Sequence, residues 1–264
     1  MADPKEYAGY VDVKYLDLAA QEAEQDKRLS YAAMRLQPGF CVLDVGCGPA
    51  SDTLALAALV GESGEVVGVD YDTEMVAEGN RRAALAGLAG RTQHVQAEAS
   101  AFPFAANRFD ATRSERLFQH VASPAAVLAE MVRVTRPGGW IVVLETDYAT
   151  ISINSDEIDL ERRLARATAD WVRSGYAARR LPRLFQQCGL LDVSIEVRPQ
   201  YFTDYALVRL GWLDKVESFA LVNQRITEDE LARWHRSLEE IAQQDAFFAS
   251  LNHNLVAGRK RVAE

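Results

Sequence analysis

The spacing of hydrophobic and polar positions changes character along the chain. Residues 1–37 interleave Tyr7, Tyr10, Tyr15 and Leu18 with charges in a helical, partly amphipathic pattern that stops at Pro38-Gly39, which predicts an N-terminal helical cap. From Cys41 short apolar runs alternate with helical stretches. Cys41–Val45, Glu65–Val69, Thr92–Ala97, Phe109–Arg113 and Trp140–Glu145 read as strands, as a parallel sheet covered on both faces requires. Between the last two, Ser123-Pro124 is an N-cap and first-turn pair. It opens a helix with Val127, Leu128, Met131 and Val132 on one face, closed by Arg136-Pro137-Gly138-Gly139.

After Tyr148 the pattern is mostly helical, with one stripe at Leu160, Leu164, Ala167 and Trp171 and another at Leu181, Leu184, Phe185 and Cys188. Alternation returns at Leu191–Val197, a strand with one face exposed or lightly covered. A helix is predicted from Thr203 to about Val222. Another starts at the capping box Thr227 to Glu230 and carries Leu231, Trp234, Leu238 and Ile241. Phe247–Lys260 reads as a closing strand and basic tail. Residues 38–264 thus form one domain with helical insertions at about 148–180 and 199–246 that cover the sheet edge.

Composition narrows the function classes. A chain of 264 residues, 48% hydrophobic, suits one compact domain with a helical extension. Its 38 acidic and 29 basic residues give a formal charge of -9, which disfavours nucleic acid and anionic membranes as partners. Cys41, Cys47 and Cys188 form no CxxC array and lie near no His at zinc-ligand spacing, so they read as reduced thiols and no metal site is expected. With no secretion signal and no apolar window of membrane-spanning length, a cytoplasmic protein is expected, as monomer or homodimer.

The chemistry is concentrated at Val42-Leu43-Asp44-Val45-Gly46-Cys47-Gly48-Pro49-Ala50, a strand that ends in a glycine turn and opens a helix. Such a turn lets backbone approach a ligand and presents amides at a helix start. Dinucleotide enzymes share it, but they want a third glycine at position 51, where Ser51 stands. Asp44 suits an ammonium group or ordered water at the turn, which an amino-acid moiety needs and a pyrophosphate does not. Asp70 ends the next strand, placed to accept both hydroxyls of a ribose. Tyr71 and Met75 follow, suited either to an adenine face or to helix packing.

Taken in order, Asp44-x-Gly46-x-Gly48, Asp70, the stretch Ala97-Glu98-Ala99-Ser100-Ala101-Phe102-Pro103-Phe104 before Phe109-Asp110, and Arg136-Pro137-Gly138-Gly139 resemble the class I S-adenosylmethionine-dependent methyltransferases over residues 40–147. The resemblance implies a doubly wound, mostly parallel seven-stranded sheet with a reversed final strand, and S-adenosylmethionine as cofactor. It gives Asp44, Gly46 and Gly48 to the methionine part, Asp70 to the ribose, Glu98 and Ala99 to the adenine, and Ser114 to the backbone lining the methionine end. Ala50 replaces a glycine frequent at the third turn position, which predicts a slightly wider turn.

Methyl transfer is an in-line displacement in which the protein chiefly aligns its reactants. A hydroxyl or carbon acceptor benefits from a general base, and His120, after the fourth strand, is the candidate, with packing of its short helix as the plainer role. Glu145 and Asp147 stand on the same edge as orienting groups or solvated loop carboxylates. Tyr7, Tyr10, Tyr15, Trp171, Trp212 and Phe219 either wall an apolar pocket or pack helices. His94, His235 and His253 have no identifiable partner. The sequence therefore points to methylation of a small, apolar or aromatic metabolite, at oxygen or carbon ahead of nitrogen. The alternatives are cyclisation or rearrangement on the same fold, and a nicotinamide oxidoreductase, which Ser51 and Glu98 argue against.

Overall fold

Neighbouring residues of a strand face opposite ways, so buried strands with unbroken apolar runs supply a core to each side of a sheet. In the computed structural model, which describes residues 24–262, Leu43, Val45, Val67, Val69, Ile141 and Val143 belong to one buried cluster. Val42, Val66, Val142 and Leu144 belong to another. The strands are β1 (Cys41–Val45), β2 (Glu65–Asp70), β3 (Thr92–Gln96), β4 (Phe109–Glu115), β5 (Thr135–Ile153), β6 (Leu191–Phe202) and β7 (Ala249–Arg259). They form a seven-stranded sheet in the order β3-β2-β1-β4-β5-β7-β6, in which β7 alone runs antiparallel to its neighbours. The chain winds outward from β1 to β3 and returns to lay β4 on the other side of β1. The crevice at the carboxyl ends of β1 and β4 is where doubly wound sheets bind ligands.

Helices α1 (Glu24–Ala33) and α2 (Ser51–Val60) cover one face through Leu29, Leu56, Ala57 and Val60. Helices α3 (Thr73–Leu85) and α4 (Pro124–Val134) come after β2 and β4, and α6 (Ala177–Gln187) comes before β6; α4 and α6 cover the other face through Leu128, Met131, Leu181 and Phe185. As expected, the Ser123 side chain caps α4, accepting from the Ala126 amide, and Pro124 occupies its first turn. A separate layer is built from α5 (Ile158–Trp171), α7 (Tyr205–Val208), a π turn over Arg209–Leu213, α8 (Asp214–Val222) and α9 (Glu228–Gln243). Its own core surrounds the fully buried Trp234, whose indole N–H donates to Glu217 at 2.8 Å. The expected capping box opens α9, with Thr227 and Glu230 reciprocally bonded.

Two strands far outrun the sequence reading, and β4 runs two residues past it to take in Ser114 and Glu115. β5 begins at Thr135, directly after α4, and continues to Ile153, while β6 reaches Phe202. Past a register shift between Asp147 and Ser152, β5 resumes pairing with the start of β7, and Phe202 pairs there too. The insertions expected as helical from 148 and 199 therefore open as strand, because Ile151 and Ile153 keep a buried alternation. On β6, Ile195 and Val197 are more than half exposed, so the lightly covered face includes the apolar side of the alternation, which an amphipathic strand would bury.

His94, on β3, is buried and has partners that its sequence position did not reveal. Thr53 Oγ1 lies 2.8 Å from Nε2 and Asn80 Oδ1 lies 3.2 Å from Nδ1. A Cβ at Gly68 or Gly79 would stand 2.7 or 2.9 Å from its ring, so both glycines make its room. Burial pushes its pKa down to about 4. The folded state then binds fewer protons than the unfolded chain, whose histidine titrates near 6.5, so this stability is present at neutral pH and is lost as the pH falls toward 4. In urea unfolding, the wild type's advantage over His94→Gln is expected to shrink by about 2 kcal/mol between pH 7 and pH 5. A gap that stays constant with pH would show that the histidine titrates normally.

Candidate active site

The turn after β1 is fixed by its own backbone. Gly46 and Gly48 adopt φ of +73° and +51°, the left-handed region that glycine enters without cost. The Gly46 and Cys47 amides donate to the Val69 carbonyl at 2.8 and 3.0 Å, and the Gly48 amide donates to Asp70 Oδ2 at 2.9 Å. Asp70 Oδ1 accepts from the Asp72 amide at 3.0 Å. The turn and the acid closing β2 are thus bonded to each other. Burial raises the Asp70 carboxyl above its ordinary range, against the pull of these amides. Ala50 takes the position of a third glycine with φ +73° and is fully buried, so the turn survives with an alanine in the left-handed region.

Beneath the turn lies a buried cluster of charges. Asp44 and Arg113 are register partners on β1 and β4, and Arg113 is completely buried. Its guanidinium pairs with Asp44 at 3.3 Å, with Asp52 at 3.1 Å and with Glu115, and its Nε donates to Ser30 Oγ at 2.9 Å. Lys27 of α1 donates to Asp52 at 2.6 Å and to Glu115 at 3.1 Å, and the Tyr31 hydroxyl donates to Asp52. Arg116 Nε reaches Glu115 Oε1 at 3.4 Å, so three carboxylates here face three cations. Burial pushes Asp44 up to about 7 although Arg113 opposes it. Burial works against ionisation of Asp52 as well, yet Arg113 and Lys27 hold its carboxyl below the usual range. Asp44 Oδ2 and Glu115 Oε1 are buried and accept no hydrogen bond, and Glu115 Oε1 has the Arg116 ion pair in its place.

The segment after β4 is shaped from beneath by Glu145. Arg116 enters the left-handed region at φ +49°, with its amide donating to the Leu144 carbonyl at 2.9 Å. Glu145 accepts from the Phe118 amide at 2.6 Å and from Thr146 at 3.1 Å, and Gln119 adds a third backbone bond. Burial pushes its carboxyl up to about 8 against these donors. Asp147 is buried and paired with Arg179 at 2.9 Å. Neither is a solvated loop carboxylate, and neither lines the cavity: Glu145 acts on the site through the backbone that carries His120. Gln119 Nε2 lies 2.9 Å from His120 Nε2 and also donates to the Arg116 carbonyl at 3.1 Å. With that amide nitrogen donating, the lone pair of His120 Nε2 is engaged.

A single cavity of about 420 Å³ joins these parts. Gly46, Gly48, Asp70, Tyr71, Glu98, Ala99 and His120 all line it, with Met75 beside Tyr71. Asp44 and Ser114 do not. Asp44 sits one layer behind, held by Arg113, and Ser114 is fully buried with the wall position passing to Glu115. Sequence reasoning missed Lys27, Asp52, Glu115, Arg116 and Arg173, which also line the cavity. The signal for part of this was present, since Asp44 and Arg113 are opposite charges inside two otherwise buried strands. Lys27 had none, because only the fold brings α1 across the sheet. Trp171, Trp212 and Phe219 pack around the helical core and line no part of the cavity, while Tyr7, Tyr10 and Tyr15 lie outside the described residues. His235 pairs with Glu217 at 2.8 Å and His253 with Asp26 at 3.0 Å. No described helix is long and apolar enough to cross a membrane.

Comparison with known proteins agrees with this geometry. Residues 42–139 match a family described as a methyltransferase domain. The chain is 32% identical over 194 residues to a demethylmenaquinone methyltransferase of Geobacillus kaustophilus, covering 68% of this chain and 81% of that one. It is 36% identical over 202 residues to an uncharacterized 37.1 kDa protein in transposon TN4556 of Streptomyces fradiae, covering 73% of this chain and 56% of that one. The chain spans 56% and 60% of the length of the first curated relatives it matches. The crystal structure of the YcgJ protein from Bacillus subtilis superposes with a TM-score of 0.65 at 16% identity, over 91% of this chain and all of that one. A glycine turn bonded to the acid of β2, on this strand order, defines a class I methyltransferase fold. The chain belongs to the S-adenosylmethionine-dependent methyltransferase family.

Ala50 supplies a test of the turn. Glycine at this position removes the left-handed penalty, and its greater unfolded-state entropy offsets part of the gain. Ala50→Gly is expected to stabilise the fold by about 0.5–1 kcal/mol, read as a rise of about 2 °C in the calorimetric midpoint. A fall in the midpoint would mean that the buried methyl outweighs the backbone strain.

Proposed function

We propose that this chain transfers the methyl group of S-adenosylmethionine to a small molecule. The observation that carries this reading is the one cavity whose wall holds the Gly46–Gly48 turn, the Asp70 carboxylate and the Glu98–Ala99 backbone in sequence. The residues suit the cofactor on the structure's own terms: Glu115 Oε1 is a buried acceptor in the cavity wall that makes no hydrogen bond, only a 3.4 Å ion pair with Arg116, and an ammonium group supplies three donors. The bound cofactor would provide an electrophilic methyl on a sulfonium. Gly46 and Gly48 keep side chains out of the methionine end, and the remaining lone pairs of Asp70 take the ribose hydroxyls. Glu98 and Ala99 meet the adenine edge, with Tyr71 and Met75 against its face. The name of the Geobacillus relative supports a small organic acceptor.

On the acceptor side, His120 takes the proton released as oxygen or carbon is methylated. It does so by exchanging the Gln119 amide for the substrate at Nε2. Catalysis otherwise rests on alignment and the exclusion of water. The full chain is expected to bind S-adenosylhomocysteine at one site by isothermal titration, and absence of binding would remove the proposal. With methyl-labelled cofactor and a panel of phenolic, enolic and amine acceptors, label is expected on oxygen or carbon. A product of unchanged mass would instead assign the cavity to cyclisation or rearrangement. On any acceptor so found, His120→Gln is expected to lower kcat about 100-fold and leave S-adenosylhomocysteine affinity within about three-fold. An unchanged kcat would return His120 to a packing role.

A further inference from the structure

The family match begins at residue 42, yet one wall of the cavity comes from before it. Lys27 of α1 lines the cavity with Asp52 and Glu115, and its side chain is 9% exposed. The adjacent residue anchors the helix on its other side. Asp26 is 3% exposed and accepts from Arg198 Nε at 3.1 Å and Gln200 Nε2 at 2.8 Å, with His253 Nδ1 at 3.0 Å. Two consecutive buried charges therefore fasten α1 to different elements, one to β6 and β7 and the other to the ends of β4 and α2.

We propose that α1 is an integral wall of the cofactor site, in which Lys27 takes the carboxylate of the cofactor's amino-acid end and the Asp26 clamp holds the helix in place to do so. This rests on the methyltransferase reading above and adds a residue and a coupling to it. Lys27 spends two of its three ammonium donors on Asp52 and Glu115, and the third serves a ligand carboxylate. The ligand ammonium goes to Glu115, whose Oε1 lies in the cavity wall with no hydrogen bond and a 3.4 Å ion pair to Arg116 that the ammonium joins. A zwitterion fits this lattice with both charges paired, where a lone anion or cation leaves one uncompensated. Because the Asp26 bonds already fix α1 on the sheet, little ordering remains to be done at binding. Linkage is reciprocal: whatever loosens the clamp weakens the cofactor, and the cofactor tightens the clamp.

The test compares S-adenosylhomocysteine with 5′-methylthioadenosine, which shares the nucleoside and lacks the amino-acid end, by calorimetry on the full chain. Lys27→Met is expected to weaken S-adenosylhomocysteine at least about ten-fold and methylthioadenosine less than about three-fold. Asp26→Asn, next to the wall residue but not itself lining the cavity, is expected to produce the same selective loss at a smaller size. Since removing Lys27 leaves two buried carboxylates short of a partner, Lys27→Arg and Glu115→Asp serve as charge-preserving variants with the same expected selectivity. Hydrogen exchange in the wild type is expected to show the α1 amides protected by S-adenosylhomocysteine and unaffected by methylthioadenosine. Equal losses for both ligands, or none for either, overturn the assignment of α1. If the wild type binds neither ligand, the methyltransferase reading itself fails.

Discussion

Everything at the carboxyl edge of this sheet is arranged around one buried guanidinium. Arg113 reaches three carboxylates that belong to β1, β4 and the first turn of α2, so a single side chain ties together the elements that form the crevice. Buried ion pairs contribute little net stability, because desolvation consumes most of the attraction, but breaking one is costly. The cluster therefore acts chiefly as a specification of geometry. Asp52 at the start of α2 cannot move without stranding Arg113 and Lys27, and the glycine turn between Asp44 and Asp52 is fixed at both ends.

The same logic, carried by backbone amides, operates on the opposite wall. Glu145 at the end of the buried stretch of β5 collects amides from the segment after β4, where hydrogen-bond partners would otherwise be missing behind the left-handed Arg116. The glycine turn, held by Asp70 and Val69, and the His120 segment, held by Glu145, face each other as two preorganised backbones. Neither relies on loop flexibility for its shape. Placement of reactants by rigid surroundings is what an in-line transfer asks of a protein.

Much of this was readable in the chain and some was not, for identifiable reasons. The strands from Cys41 to Val69 are legible because burial on both faces demands unbroken apolar runs. Gly46, Gly48 and Asp70 are legible because left-handed turns and strand-end acids have few substitutes. The length of β5 was hidden because Asp147 to Ala149 interrupts the alternation before Ile151 and Ile153 restore it, and only pairing with β7 makes that stretch a strand. Lys27 was hidden because its partners stand 25 and 88 positions away in sequence. The aromatic residues Trp171, Trp212 and Phe219 suited a pocket less readily than a core, and the packing of α5, α8 and α9 around Trp234 decided for the core.

The lightly covered β6 strand closes the sheet on its far side, and how it ends the sheet matters for the molecule in a crowded solution. A long terminal strand with apolar residues such as Ile195, Val197 and Tyr201 in the open is a template on which another chain can lay a strand of its own. Pro199 lies within β6 and has no N–H to offer such a visitor, and Asp192, Glu196 and Arg198 intersperse charge along the same strand. Growth of the ladder is thereby interrupted, and the molecule carries its own protection against self-templated aggregation at the place where its architecture is most vulnerable to it.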